Sequence, residues 1–285
     1  MDQEEARKAR MEQEEARMEQ EREGLAWQTR LWDRMSDVYQ REIDKRFAPV
    51  VEGCIGRAAL QLGESVLDLG AGTGSVTLQA ASRVGPSGAV VAVDLSPEML
   101  ERTRRRADAE GFSNVNVLEG RAEEVPAPDG GFDVLIASLS LMFAVDKARA
   151  AAECARVLRP GGRFVAAAWG GVEDTDLVRF QQLAGSFAPP PPVPGVGPGA
   201  LADPTDFLGQ LAAAGIPARV ESDVVTFGFD NFEQAWDVFA GVTTAKLDPE
   251  RRERAQRAVR DEMWLEPSSG RIFKNRLLYI VGERS

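Results

Sequence analysis

Histidine is absent from this 285-residue chain. That removes both the commonest metal ligand and the commonest general base, and no metal site is expected. Cysteine is scarce as well: Cys54 and Cys154 cannot build a disulfide framework. Each falls in an apolar helical pattern, where a buried thiol acts as a small hydrophobe rather than a reactive group. Positive charge is in deficit, with 34 Lys and Arg against 45 Asp and Glu, a formal net charge of -11. So acidic a surface repels phosphate backbones and anionic membrane faces, which argues against a nucleic-acid partner. Long apolar runs are missing, so no membrane insertion is expected. No cationic-then-apolar leader is visible, and the expected location is cytoplasmic.

What is present suits one α/β core with additions. Apolar residues make up 44% of the chain, enough for a sizeable interior. Residues 2–23 are almost all strong helix formers, and MEQEEAR at 11–17 is echoed by MEQEREG at 18–24. Met11, Met18, Leu25, Trp32 and Tyr39 are therefore seven apart. A coiled coil needs a second apolar position per heptad, and here that position is charged. A solvated helix with pairs such as Glu4–Lys8 follows. A docking helix, and with it a homodimer, stays open. From Leu25 to Phe47 apolar residues recur at helical spacing. Asp44 to Pro49 reads as a break before a second helix over 50–62.

The sequence then alternates. Buried strands are expected at 65–70, 89–96, 114–120, 132–140 and 162–170, with helices at about 76–83, 97–110 and 146–158 between them. Short apolar strands alternating with helices indicate a parallel sheet covered on both faces. Ser96-Pro97-Glu98 supplies a cap, a first-turn proline and a first-turn acid. Arg159-Pro160-Gly161-Gly162 reads as a helix stop, with Arg156 and Arg163 beside it as solvated surface charges. Helices at 174–187 and 203–215 flank a Pro/Gly-rich connection, 188–199. A sixth strand at 218–229 and a seventh at 271–284, separated by a helical excursion, suggest an antiparallel final strand beside the sixth. The expected divisions are a charged extension (1–24), lid helices (25–62), a core (63–229), a helical insertion capping an acceptor (230–270) and the last core strand (271–285).

The strongest local feature is Asp68-Leu69-Gly70-Ala71-Gly72-Thr73-Gly74, closing the first core strand and opening a helix. Such a turn brings backbone close to a ligand, and glycine permits the approach. The pattern is G-x-G-x-G. The dinucleotide fingerprint needs a further glycine at position 75, where Ser75 stands. Asp68, just ahead of the turn, suits a ligand carrying an ammonium group and disfavours a phosphate. Asp94 closes the second strand, where a carboxylate can accept from both hydroxyls of a ribose.

These motifs, with VLEGRAEEVP (117–126), FDVLIASLSLMF (132–143) and ARVLRPGGRF (155–164), resemble the class I S-adenosylmethionine-dependent methyltransferases. Within them the resemblance is to the ubiquinone/menaquinone-biosynthesis group, over roughly 30–229. It implies a Rossmann-like α/β fold: a seven-stranded, mostly parallel sheet with an antiparallel last strand and helices on both faces. It implies S-adenosylmethionine as cofactor and S-adenosylhomocysteine as product. Gly70, Ala71, Gly72, Thr73 and Gly74 would pass under the methionine part, and Asp94 would hold the ribose. Leu95, Met99 and Ala122 would meet the adenine, and Ser138 and Leu139 would lie near the sulfonium. Where many relatives carry Asp after the third strand's glycine, this chain has Arg121. Ala122 backbone or Glu123 would then meet the adenine amino group. Tyr39 lies on a segment resembling the lid, where its hydroxyl could reach the cofactor carboxylate or take a catalytic part.

Methyl transfer by in-line displacement needs no protein nucleophile, only orientation and exclusion of water. Without histidine, any base is Asp, Glu, Tyr or none. The expected acceptor is a small, apolar or aromatic metabolite. Met142, Phe143, Trp169, Trp236, Phe239 and Trp264 are candidates to line its pocket, with ordinary core packing as the competing reading. A non-catalytic cofactor-binding or interaction protein, and a nicotinamide-dependent oxidoreductase, are the alternatives. Ser75 and Asp68 speak against the second.

Overall fold

The structure is a computed structural model and describes residues 3–264, 266 and 269–285. Its centre is a seven-stranded sheet of order β3-β2-β1-β4-β5-β7-β6. The strands are β1 (Ser65–Leu69), β2 (Ala89–Asp94), β3 (Val115–Glu119), β4 (Phe132–Ser138), β5 (Leu158–Trp169), β6 (Ala218–Phe229) and β7 (Arg271–Glu283). The first five pair in parallel, and β7 runs antiparallel to both β5 and β6. Val66, Leu67, Val90, Val134, Leu135 and Ile136 are fully buried, as strands covered on both faces require. The RPGG stretch does not end a helix ahead of the strand. It lies inside β5, where the register with β4 slips between Phe132 and Val134 and Gly161 takes a φ of 74°.

Nine α-helices are described: α1 (Gln3–Val38), α2 (Asp44–Ala58), α3 (Ser75–Val84), α4 (Pro97–Glu110), α5 (Lys147–Val157), α6 (Asp176–Gly185), α7 (Thr205–Ala213), α8 (Phe232–Phe239) and α9 (Pro249–Met263). Their starts obey local chemistry. Ser96 Oγ accepts from Met99 N–H ahead of Pro97, and Asp146, Asn231 and Asp248 cap α5, α8 and α9 in the same way. At α4's end Gly111 takes the left-handed conformation.

The expected break at 44–49 is absent. α1 continues through a π-helical turn, Tyr39–Ile43, straight into α2, with Pro49 inside the helix. Proline removes one backbone donor there, but Phe47, Val50, Val51, Cys54, Ile55 and Ala58 bury one continuous stripe. That burial outweighs a single lost hydrogen bond. The helix stops at Ala59, which takes a positive φ of 48°.

Arg156 and Arg163 are not the solvated charges expected. Arg163 spans both oxygens of Glu64 at 2.7 and 2.8 Å and donates to the Ala58 carbonyl, tying α2's end to β5. Arg156 pairs with Glu153 and Asp129 and donates to the Val125 and Ala127 carbonyls, holding the loop before β4. Each guanidinium serves groups from several segments at once, which only tertiary structure could bring together. The free edge of β6 is blunted. The Val224 N–H is taken by Asp223, and Arg46 donates to the Gly228 carbonyl.

Candidate cofactor cleft

The cleft opens at the carboxyl ends of β1, β2 and β4, where the strand order reverses. Its floor is the turn after β1. Gly70, Gly72 and Gly74 all have positive φ (76°, 56° and 90°). A Cβ at Gly70 would come within 2.2 Å of Ser140 Cβ, and one at Gly74 within 2.9 Å of Thr103 Cγ2, whereas nothing lies within 4 Å beside Gly72. Two of these glycines therefore serve packing, and the third faces open space in the cleft. Leu139 also has positive φ, 56°, at the mouth of β4. For a branched residue this is strain held by its surroundings, here by its N–H donating to the Ala167 carbonyl at 3.0 Å.

Asp94 receives the Gly72 N–H at 2.8 Å on one oxygen and the Ser96 N–H at 2.9 Å on the other. Burial raises its carboxyl above the usual range, and these backbone donors oppose that. Asp68 is buried beneath the turn. One oxygen accepts from Thr77 Oγ1 at 2.5 Å, and the other has no partner. Desolvation lifts its carboxyl to about 7.

α1 roofs the cleft. Leu25, Gln28 and Trp32 on α1, with Tyr39 in the π turn that follows it, form a wall opposite the strand ends. The roof is pinned along its length. Glu21 pairs with Arg121 at 2.8 Å, and Asp33 accepts from Ser96 Oγ at 2.6 Å. At the start of α2, Asp44 accepts from Thr73 Oγ1 at 2.8 Å and from Arg106 at 2.9 Å. The 188–199 connection crosses α1 at Gly24, where a Cβ would meet Val193 Cγ2 at 2.3 Å. Trp32 meets Phe143 edge-on at 4.9 Å and Tyr39 at 6.4 Å. Burial, then Asp44 and Asp94, push the Tyr39 phenol well above its ordinary pKa. It stays protonated at neutral pH, a donor and not a base.

Most of the residues anticipated for a cofactor meet here. Tyr39, Gly70, Gly72, Asp94, Leu95, Met99, Arg121, Ala122, Glu123, Ser138 and Leu139 line the main cavity. Asp68, Ala71 and Thr73 line an adjoining recess with Asp44 and Phe47. Gly74 lines neither and starts α3 instead. Arg121 and Glu123 touch the cavity with their charges committed elsewhere. Arg121 is held by Glu21 and Glu124, and Glu123 accepts from the Val145 and Asp146 N–H groups.

Of the anticipated acceptor wall, only Phe143 faces the cavity. Met142, Trp169, Trp236, Phe239 and Trp264 are all buried and form no wall of either space. The last four pack in an aromatic core with Phe47, Phe180, Phe227, Phe232 and Phe273. Rings bury the most area against one another, so the interior claims them. Leu25, Gln28 and Trp32 lie on the segment expected to form a lid, although the sequence singles out only Tyr39 on it as a site residue. Their spacing from Tyr39 was visible, but a seven-residue period serves a coiled-coil seam and a roof equally.

Residues 66–162 match the family described as a methyltransferase domain. That segment, from β1 into β5, is similar to a methyltransferase domain. Among curated relatives, a nocamycin O-methyltransferase of Saccharothrix syringae is 36% identical over 134 residues, 47% of this chain and 48% of that protein. A ubiquinone/menaquinone biosynthesis C-methyltransferase of Hahella chejuensis is 36% identical over 138 residues, 47% of this chain and 53% of that protein. The chain thus spans about half the length of the curated relatives it matches. The YcgJ protein of Bacillus subtilis shares the methyltransferase domain's fold, with a TM-score of 0.63 over 83% of this chain and 98% of that one, at 22% identity. No helix among the described residues is long and apolar enough to cross a membrane.

Proposed function

We propose that the chain transfers the methyl group of S-adenosylmethionine to a small, apolar or aromatic acceptor. The observation that carries this is Asp94, its carboxylate fixed by two backbone N–H groups at the edge of a roofed cleft. A carboxylate so placed accepts from ribose hydroxyls without rearranging. The residues fit the cofactor in three further ways. Space stands beside Gly72, a buried oxygen of Asp68 lacks a partner, and the protonated Tyr39 hydroxyl lines the space above the turn. Asp44, Asp68 and Asp94 make that end of the cleft acidic, which suits an ammonium and a sulfonium. Tyr39 is then available to donate to the cofactor carboxylate.

When bound, S-adenosylmethionine supplies a methyl on a positively charged sulfur, displaced in line by the acceptor. The chain's task is orientation and dryness. Well-oriented reactants remove roughly 7–11 kcal/mol of barrier. Trp32, Phe143 and Leu139 give apolar walls, and α1 closes off solvent. Tyr39 is held protonated, both cysteines are buried with thiols pushed up to about 12, and the acids of the cleft are engaged. The acceptor atom accordingly arrives nucleophilic or loses its proton to water. Among relatives, the names of a nocamycin O-methyltransferase and a quinone-biosynthesis C-methyltransferase support an apolar or aromatic acceptor without selecting between oxygen and carbon.

Titration calorimetry with S-adenosylhomocysteine tests cofactor binding, and metabolite extracts with isotopically labelled methyl donor test transfer. Asp94→Ala should weaken binding by about 2–3 kcal/mol, some 30- to 150-fold, with a cooperative melt retained. Full affinity in that variant would remove the ribose assignment.

A further inference from the structure

Gln28 sits on the roof helix, is only 5% exposed and lines the cleft. Its side-chain amide is oriented by chemistry. Nε2 lies 2.9 Å from the Phe143 carbonyl, an acceptor only, so the NH2 group must point there. That turns Oε1 the other way. No hydrogen bond to Oε1 is seen among the described residues, and Gln28 lines the cleft. A buried amide oxygen held toward a cavity is an acceptor waiting for a donor.

Its position along the roof is fixed by the pins. Glu21, clasped by Arg121 just past β3, lies seven residues before it, about 10 Å at the helical rise. Tyr39, above the glycine turn, lies eleven residues after it, about 16 Å. Gln28 therefore belongs to the end of the cleft bounded by Arg121, Ala122 and Glu123, away from the Asp68 end. At that end the charged side chains offer nothing to a neutral amine. Arg121 is a cation held by two acids, and Glu123 is spent on Val145 and Asp146.

We infer that Gln28 Oε1 reads the exocyclic amino group of the bound purine, so the lid, and not the segment after β3, supplies the side chain that selects adenine. This rests on the cofactor assignment above. An amine is a donor and satisfies Oε1. A 6-oxo purine presents a second acceptor there and leaves both oxygens unpaired.

The test is calorimetric, comparing S-adenosylhomocysteine with its inosine counterpart, in which the 6-amino group is replaced by a 6-oxo group and N1 carries a proton. The wild-type protein should bind the adenosyl form about tenfold or more tightly. Gln28→Met, of similar length and apolar, should bring the two to within about twofold of each other, and Gln28→Asn, one carbon shorter, should do likewise. Loss of the tie to Phe143 weakens both ligands alike, so the ratio separates recognition from lid anchoring. Equal wild-type affinities, or variants that keep the wild-type ratio, overturn the assignment of Gln28 alone. No wild-type binding of either nucleoside overturns the cofactor reading itself.

Discussion

At Asp68 a carboxylate is kept where water cannot solvate it, and this has a sign in pH. Its ordinary ionisation lies at 3.8, and burial raises it to about 7 in the folded protein. The folded state holds that proton more tightly, so Asp68 makes stability fall as pH rises between about 4 and 7, with a constant penalty above. Asp68→Asn keeps a partner for Thr77 and cannot ionise. Its stability relative to wild type should grow from about pH 5 to about pH 8 in denaturant unfolding, and a pH-independent difference would count against the buried charge. The glycines divide in the same way. Gly70→Ala drives a Cβ against Ser140 and should cost more than about 2 kcal/mol of stability. Gly72→Ala meets no atom, so only backbone strain of about 1 kcal/mol is expected, while its methyl occupies the cleft and ligand binding is lost. Paired melts and titrations separate the two. Asp68 and the glycine pattern could be read in the sequence because they are local. The partners of Arg156 and Arg163 could not, because they lie tens of residues away.

Among the elements, α1 carries two different loads. Met11 and Met18 are about half exposed at 53% and 54%, and the described side chains between them are exposed as well. The anticipated Glu4–Lys8 pair falls outside the described side chains, and Lys8 lies 3.8 Å from Glu12. Removing residues 1–19 should leave both melting temperature and S-adenosylhomocysteine affinity unchanged, since the Glu21–Arg121 clasp survives. Extending the cut through residue 28 removes that clasp, Leu25 and Gln28, and should weaken affinity about tenfold or more while the core still melts cooperatively. Calorimetry and circular dichroism on the two truncations check this. Strands and helices of the core were legible because their periods differ, and the bounds of α4 and β6 coincide with expectation. The lid was harder. Pro49 looks like a stop, and only the burial of α2's stripe shows why the helix runs on.

For the whole molecule, folding and ligand binding are linked. At a ligand concentration about 100 times its Kd, S-adenosylhomocysteine should add roughly 2.7 kcal/mol, raising Tm by a few degrees. A nicotinamide dinucleotide, with phosphates facing Asp44, Asp68 and Asp94, should leave Tm unmoved in the same scan. A parallel sheet covered on both faces followed from the alternation of elements, whereas its strand order did not. The fate of the aromatic residues did not, because a ring's direction depends on which helices cross above it. Lid and core are also mechanically one object. From Gln3 to Ala58 the backbone is a single rod with one wide turn at Tyr39–Ile43. A π turn holds one residue more than an α turn, and each residue advances a helix by about 100°. Deleting Gln40 would therefore close that turn to an ordinary α turn and leave everything upstream in phase. Leu25, Gln28 and Trp32 would still face the cleft, so the wide turn is one spare residue that the ceiling can lose without swinging off the sheet beneath it.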